Sequence, residues 1–292
     1  MKNRSWAGTT FGNGWMHREL IRMLRHTDVR VIYAFMAVFV IPWCLIFASG
    51  SRIIYRYFRT IHHRTVLASI AATYRNLYLF GQVVVDRFAF YAGRRFQIEI
   101  EGYQAFSNLI SRPQGFLQLS AHVGNYEMAG YNLTPEGKKF YALVFGGEKQ
   151  SIMENRNKAF SSTNIRMISI SPDMSHLFEI NNALADGGIV SMPADRNLGS
   201  AKTIDIQFMG RPAQLPYGPF SVATARGLDV IAVNVMKTRT LQYTIYVQNL
   251  PYDRTAPRKE QIRQLATAYK TELERMLTMY PEQWYNYFPF WN

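Results

Sequence analysis

The segment Leu117-Gln-Leu-Ser-Ala-His122-Val-Gly-Asn-Tyr-Glu127 sets a histidine and a glutamate five residues apart across a glycine-containing turn. Gly115-Phe-Leu-Gln-Leu-Ser120 before it reads as a strand, and Asn125 to Leu133 after it as a short helix. His122 therefore falls just past a strand, and the carboxyl edge of the strands is where α/β sheets build sites. Gly124 lets the backbone turn tightly, and Asn125 is suited to cap the helix. Such a turn can bring the Glu127 carboxylate to one imidazole nitrogen and leave the other to take a proton. That is the arrangement of a general base. The helix start adds N–H groups and a positive dipole for an oxyanion or a phosphate. A structural histidine is the competing reading of so short a pair.

Other chemistries find less support. There is no Gly-x-Ser-x-Gly elbow, and the single cysteine, Cys44, lies in an apolar run, so an acyl-enzyme is not supported. One cysteine also rules out a disulfide framework or a multi-cysteine metal site. His62-His63 and the His176–Glu179 pair lack His-Glu-x-x-His spacing and a third ligand. No metal and no other cofactor is expected.

The elements that must position His122 alternate. A helical pattern over 64–92 (Val66, Leu67, Ile70, Tyr74, Leu77, Tyr78, Phe80, Val84) ends near Gly93. Strands are expected at 96–101, 115–120, 139–145, 165–170, 189–192, 203–208, 229–235 and 241–247. Helices are expected at 125–133, 149–160, 174–186 and 257–280. The pattern predicts an α/β fold, a mixed, largely parallel sheet flanked by helices. With 292 residues the chain suffices for one large domain or two modest ones. The organisation expected is N-terminal membrane-associating helices over 1–94 and an α/β domain over 95–292.

Charge and hydropathy motivate that first region. Residues 1–100 hold 14 Lys and Arg against 4 acids, and the rest of the chain 19 against 16. Between Arg30 and Arg52 lie 21 residues without formal charge. As a helix they would run about 32 Å, roughly the hydrocarbon thickness of a bilayer. The late start and the arginines that follow do not suit a secretory signal. Cations on both sides fit a kinked or shallow insertion, with the kink at Pro42, better than a simple span. Arg52, Arg56 and Arg59, at i, i+4 and i+7, give one helix face that suits an anionic membrane surface. A buried core helix is the alternative for 31–51. No nucleic-acid partner is expected, because the excess charge flanks an apolar run and no helix-turn-helix or RNP-type signature occurs.

His122-Val-Gly-Asn-Tyr-Glu127 resembles the H-x4-D/E block of the lysophospholipid acyltransferase superfamily. More narrowly it resembles the late lipid A (lauroyl/myristoyl) acyltransferases, whose block usually reads His-x-Gly-Asn-Trp-Glu. Gly187-Gly188-Ile-Val-Ser-Met-Pro-Ala-Asp195-Arg196 is similar to that family's Gly-Gly, strand, Asp-Gln stretch. Phe208-Met-Gly210-Arg-Pro-Ala213, Tyr217-Gly218-Pro219 and Pro281-Glu-Gln-Trp284 resemble later blocks in the same order. Tyr126 and Arg196 depart from the usual Trp and Gln, which leaves the chemistry intact and the lipid A acceptor in question. The resemblance covers about 95–290 and implies a membrane-bound acyltransferase of the inner membrane, its catalytic domain facing the cytoplasm. It would move a fatty acyl group from acyl-carrier protein or acyl-CoA to a hydroxyl or amine of a lipid acceptor. The acceptor stays open among a lipid A precursor, an amino lipid, a glycerolipid and an aryl-polyene-type pigment. His122 would be the base and Glu127 its orienting carboxylate. Asn125, Arg156, Asp195, Arg196 and Gly210 form the expected substrate-binding set. Within it, Arg156 would hold a phosphate or carboxylate and Gly210 would shape the site. A catalytically silent lipid-binding membrane protein on the same fold is the alternative.

Overall fold

A computed structural model of the chain describes residues 14–133, 137–145, 164–170, 173–197 and 202–291. The expected helix at 149–160, with Arg156, lies outside the described residues.

The N-terminal helices are α1 (Gly14–His26), α2 (Val29–Phe35), α3 (Ile41–Phe47), α4 (Ser49–Thr60) and the long α5 (Val66–Tyr91). Asp28 starts α2 by accepting the Arg30 N–H at 2.8 Å. A π-helical turn, Met36–Val40, joins α2 to α3 just ahead of Pro42. Proline lacks an N–H, so the ladder must re-register there. Val29–Phe47 spans 19 residues at a mean hydropathy of 2.2, yet only 22% of its most apolar stretch is buried. Val31, Phe35, Val38, Phe39, Trp43, Ile46 and Phe47 all face outward. A buried core helix does not describe this segment. Its inner face (Val29, Ile32, Tyr33) packs with Leu24 of α1 on Val85, Phe88 and Ala89 of α5.

The sheet is built from β1 (Gln97–Glu101), β2 (Phe116–Ser120), β3 (Phe140–Phe145), β4 (Ile165–Ile170), β5 (Ile189–Pro193), β8 (Val230–Arg239) and β9 (Gln242–Asn249). Their order is β1-β9-β8-β2-β5-β3-β4. All neighbours are parallel except β8 and β9, which form an antiparallel hairpin. Strands β6 (Thr203–Phe208) and β7 (Arg211–Pro216) make a separate hairpin. The helices are α6 (Tyr103–Ile110), α7 (Glu127–Asn132), α8 (His176–Ala185), α9 (Tyr217–Ala225) and α10 (Arg258–Met279). The mixed, mostly parallel sheet flanked by helices is the fold the alternation implied.

Strand β2 is buried along its whole length, as parallel central strands are. Its alternate residues serve different cores. Leu117 and Leu119 join Leu265, Leu273 and Met276 of α10 on one face, and Phe116 joins Phe106 of α6 on the other.

Candidate active site

Beyond Ser120 the chain leaves β2 but stays clamped. Val123 and Gly124 form isolated bridges to Trp284 and Val235. Gly124 donates its N–H to the Gln283 carbonyl at 2.9 Å, Asn125 to the Val235 carbonyl at 2.8 Å, and Tyr285 to the His122 carbonyl at 2.9 Å. Gly124 has φ +51°, and a Cβ there would sit 1.9 Å from the Val235 oxygen, so only glycine fits this crossing. The segment carrying His122 is thus wedged between β8 and the Pro-Glu-Gln-Trp segment near the C-terminus.

The carboxylate at His122 belongs to Asp195, not to Glu127. Asp195 Oδ1 lies 2.7 Å from His122 Nδ1. Asp195 Oδ2 accepts the His122 backbone N–H at 3.0 Å and the Trp284 indole N–H at 3.2 Å. The register explains the meeting: Ser120 of β2 pairs with Pro193 of β5, and each strand runs two residues further to its functional side chain. Asp195 is fully buried. Burial opposes its ionisation, but the charge and hydrogen bonds of His122, with Arg196 beside it, hold its carboxyl down at about 2. The ionised Asp195 fixes the tautomer with the proton on Nδ1 and leaves Nε2 as acceptor. Nε2 has no protein partner among the described residues, and the His122 side chain is 22% exposed. Tyr126 stands beside it, its ring centroid 6.0 Å away.

Glu127 turns elsewhere. As first residue of α7 it meets Arg87 Nε at 3.0 Å and accepts from the Tyr91 hydroxyl at 3.4 Å. Arg87 and Tyr91 are one turn apart on α5, so they share the face that the Gly124 turn aims the helix start against. Asn125 is also not open to a substrate. It is 1% exposed and donates to the Tyr243 hydroxyl at 3.4 Å. Nor does it cap α7 with its side chain. The expected anion-binding helix start is largely occupied, since Met128 and Ala129 give their N–H groups to the Asn125 and Tyr126 carbonyls.

Among the remaining sequence candidates, Arg196 donates to the Tyr285 carbonyl at 2.7 Å and lies 5.0 Å from the Phe288 ring centroid. Gly210 (φ +79°) and Met209 (φ +48°) form the two-residue turn between β6 and β7. Its glycine is explained by that turn.

The sequence reading missed α5 as a supplier of site residues. Asn76 donates to the Glu282 and Trp284 carbonyls at 3.0 and 2.9 Å, so α5 holds the segment that holds Gly124. Asp86 takes Lys237 at 2.5 Å and the hydroxyls of Tyr33 and Tyr243, all buried directly behind Asn125. A Lys or Asp inside an apolar helix or strand was the available signal, because such residues are buried only when paired.

The site therefore offers one imidazole base, an ionised carboxylate behind it and a nearby guanidinium, and among the described residues no serine or cysteine nucleophile is assembled on it. No functionally curated protein matches the sequence. Among solved structures, the chain is similar to the 1-acyl-sn-glycerophosphate (LPA) acyltransferase PlsC from Thermotoga maritima. That likeness has a TM-score of 0.41 at 14% identity and covers 89% of this chain and 98% of that one. The family model described as bacterial lipid A biosynthesis acyltransferase matches residues 80–291, from within α5 through the whole sheet to Trp291. The chain belongs to the bacterial lipid A biosynthesis acyltransferase family, and is an acyltransferase acting on lipids.

Proposed function

We propose that this protein transfers a fatty acyl group from an acyl thioester, on acyl-carrier protein or CoA, directly to a hydroxyl or amine of a lipid acceptor. The observation that carries the reading is the His122–Asp195 pair, with Nδ1 committed to a buried anion and Nε2 facing outward. The acceptor heteroatom attacks the thioester carbonyl as His122 Nε2 takes its proton. The tetrahedral oxyanion collapses, the C–S bond breaks, and the imidazolium returns the proton to the departing thiolate. Asp195 is a positioning residue that also stabilises the imidazolium. Arg196, charged and adjacent, supports the developing oxyanion or an acceptor phosphate or carboxylate. Glu127, clamped by Arg87, fixes α7 against α5 and so sets the wall of the site.

In this reading residues 1–94 hold the enzyme on the cytoplasmic leaflet of the inner membrane and 95–292 carry the chemistry. The outward apolar face of α2 and α3, followed by Arg52 and Arg56, supports that placement. The test is transfer from acyl-carrier-protein and acyl-CoA donors to total lipid extract. His122→Ala should abolish transfer while circular dichroism stays unchanged. Undiminished transfer by that variant would overturn His122 as the base.

A further inference from the structure

A cleft of about 440 Å³ opens at the carboxyl edge of the sheet one strand away from His122. Its walls are one face of α5 (Arg75, Leu79, Gln82), the end of β8 with the turn that follows it (Arg239, Thr240), and the end of α10 (Met279). The charges around it are unevenly satisfied. Lys237 is neutralised by Asp86, and Glu282 by Arg64 at 2.8 Å. Arg75 and Arg239 are exposed and have no acidic or hydrogen-bonding side-chain partner among the described residues. Gln82 is the second, independent observation. The residue is 8% exposed and lines the cleft, and its amide makes no hydrogen bond among the described residues while keeping access to solvent there. A side chain held this firmly, with its amide uncommitted to the protein, is a donor placed for whatever enters the cleft.

We infer that this cleft binds a phosphate-bearing anion, with Arg75 and Arg239 as forked donors and Gln82 donating from the floor. Two guanidinium groups suit a tetrahedral oxyanion better than any single side chain there. The most telling source is a phospholipid headgroup. Val66, Leu67 and Ile70 are exposed apolar residues on the first turns of the same helix, and Arg75 follows Ile70 by five residues, about 8 Å along the axis. An apolar turn followed at that depth by an unpaired cation is the order that a bilayer presents, acyl chains and then phosphates. None of these residues touches His122, so the site stands apart from the transfer chemistry.

The test uses the full-length protein in neutral detergent, titrated with inorganic phosphate and with dihexanoyl phosphatidate below its micellar concentration. Binding is read by calorimetry for the wild type, Arg75→Gln/Arg239→Gln and Arg75→Lys/Arg239→Lys. Saturable binding that falls at least about tenfold in the Gln pair and is partly restored in the Lys pair is expected. Phosphatidate binding at least about tenfold tighter than phosphate identifies a headgroup as the source, and equal affinities identify free phosphate. Non-saturable binding, or binding unchanged in the Gln pair, overturns the inference. His122→Ala should bind both probes like the wild type, which separates this site from the acyl-transfer reading.

Discussion

Two aspartates are fully buried in this protein, and they do opposite things. Asp86 meets Lys237, Tyr33 and Tyr243, every one of them buried, so its charge is closed on all sides. Asp195 meets a backbone N–H, the Trp284 indole and His122, and only His122 reaches solvent. A buried carboxylate becomes chemistry when one partner can carry its influence outward. Otherwise it fastens elements together, here α2, α5, β8 and β9.

The comparison breaks most visibly at His122 and Asp195. His122→Ala should lower kcat by about 10³–10⁴-fold, and Asp195→Asn by about 10²–10⁴-fold with little change in KM. Asn keeps the shape and loses the charge, so steady-state kinetics on the folded variant separates electrostatics from packing. A large rise in KM alone would make Asp195 a binding residue. Asp86→Asn should act on the other axis. It strands the Lys237 ammonium in the core and should cost about 3–5 kcal/mol of stability, while kcat per folded molecule holds within a few-fold. Urea unfolding with active-site titration reads both. A variant that keeps full stability but loses turnover would put Asp86 in the catalytic apparatus and end the distinction.

Acid should sharpen the contrast. The Asp195 carboxyl titrates at about 2, below its ordinary 3.8, so it stabilises the fold above about pH 4 and loses that contribution as pH falls toward 2. The difference is on the order of 2 kcal/mol. The gap in unfolding free energy between wild type and Asp195→Asn should therefore narrow as pH drops from 5 to 3. A constant gap would show that the carboxylate's ionisation contributes nothing to the fold.

Glu127 tests which carboxylate serves the imidazole. If it acts through Arg87, Arg87→Gln should reproduce the Glu127→Gln defect within a few-fold, and the double variant should be no worse than either single one. A wild-type rate in Arg87→Gln beside a large loss in Glu127→Gln would return Glu127 to His122.

Much of this was legible in the sequence. Strand, glycine turn and helix around His122 are local patterns, and each of the eight expected strands is present. The π-helical turn falls just before Pro42, where the proline predicted a kink. What periodicity could not give is adjacency. Asp195 reaches His122 only because β5 lies beside β2 with Ser120 opposite Pro193, and nothing in either strand states that pairing. The five-residue spacing to Glu127 suggested a local partner, but the Gly124 turn aims Glu127 at α5. Strand β7 was missed because two of its six residues are prolines, which edge hairpins tolerate. The buried pairing of Lys237 with Asp86 spans 151 residues of sequence and has no local trace.

The smallest effect expected is at the membrane, where the structure also changes the experiment. Deleting 31–51 would remove Tyr33 from Asp86, and Gly50 from its close packing on Tyr287, so such a chain would be damaged in its core as well as its anchor. Exposed positions are the cleaner target. Phe35, Phe39, Trp43 and Phe47 point outward, and changing all four to serine leaves Tyr33 and Gly50 in place. The intact protein should stay on vesicles at high salt, because apolar insertion is not screened. The serine variant should rest mainly on charge and wash off far more readily, since such fields decay over roughly 8–10 Å at moderate ionic strength. On that background, each of Arg52→Gln and Arg56→Gln should weaken binding to anionic vesicles by about five-fold at low salt. Arg59→Gln should do less, because Arg59 already donates to the Arg64 carbonyl. Cosedimentation at two salt concentrations measures all of this. An intact chain released by salt would mean that the outward apolar face of α2 and α3 does not enter the bilayer.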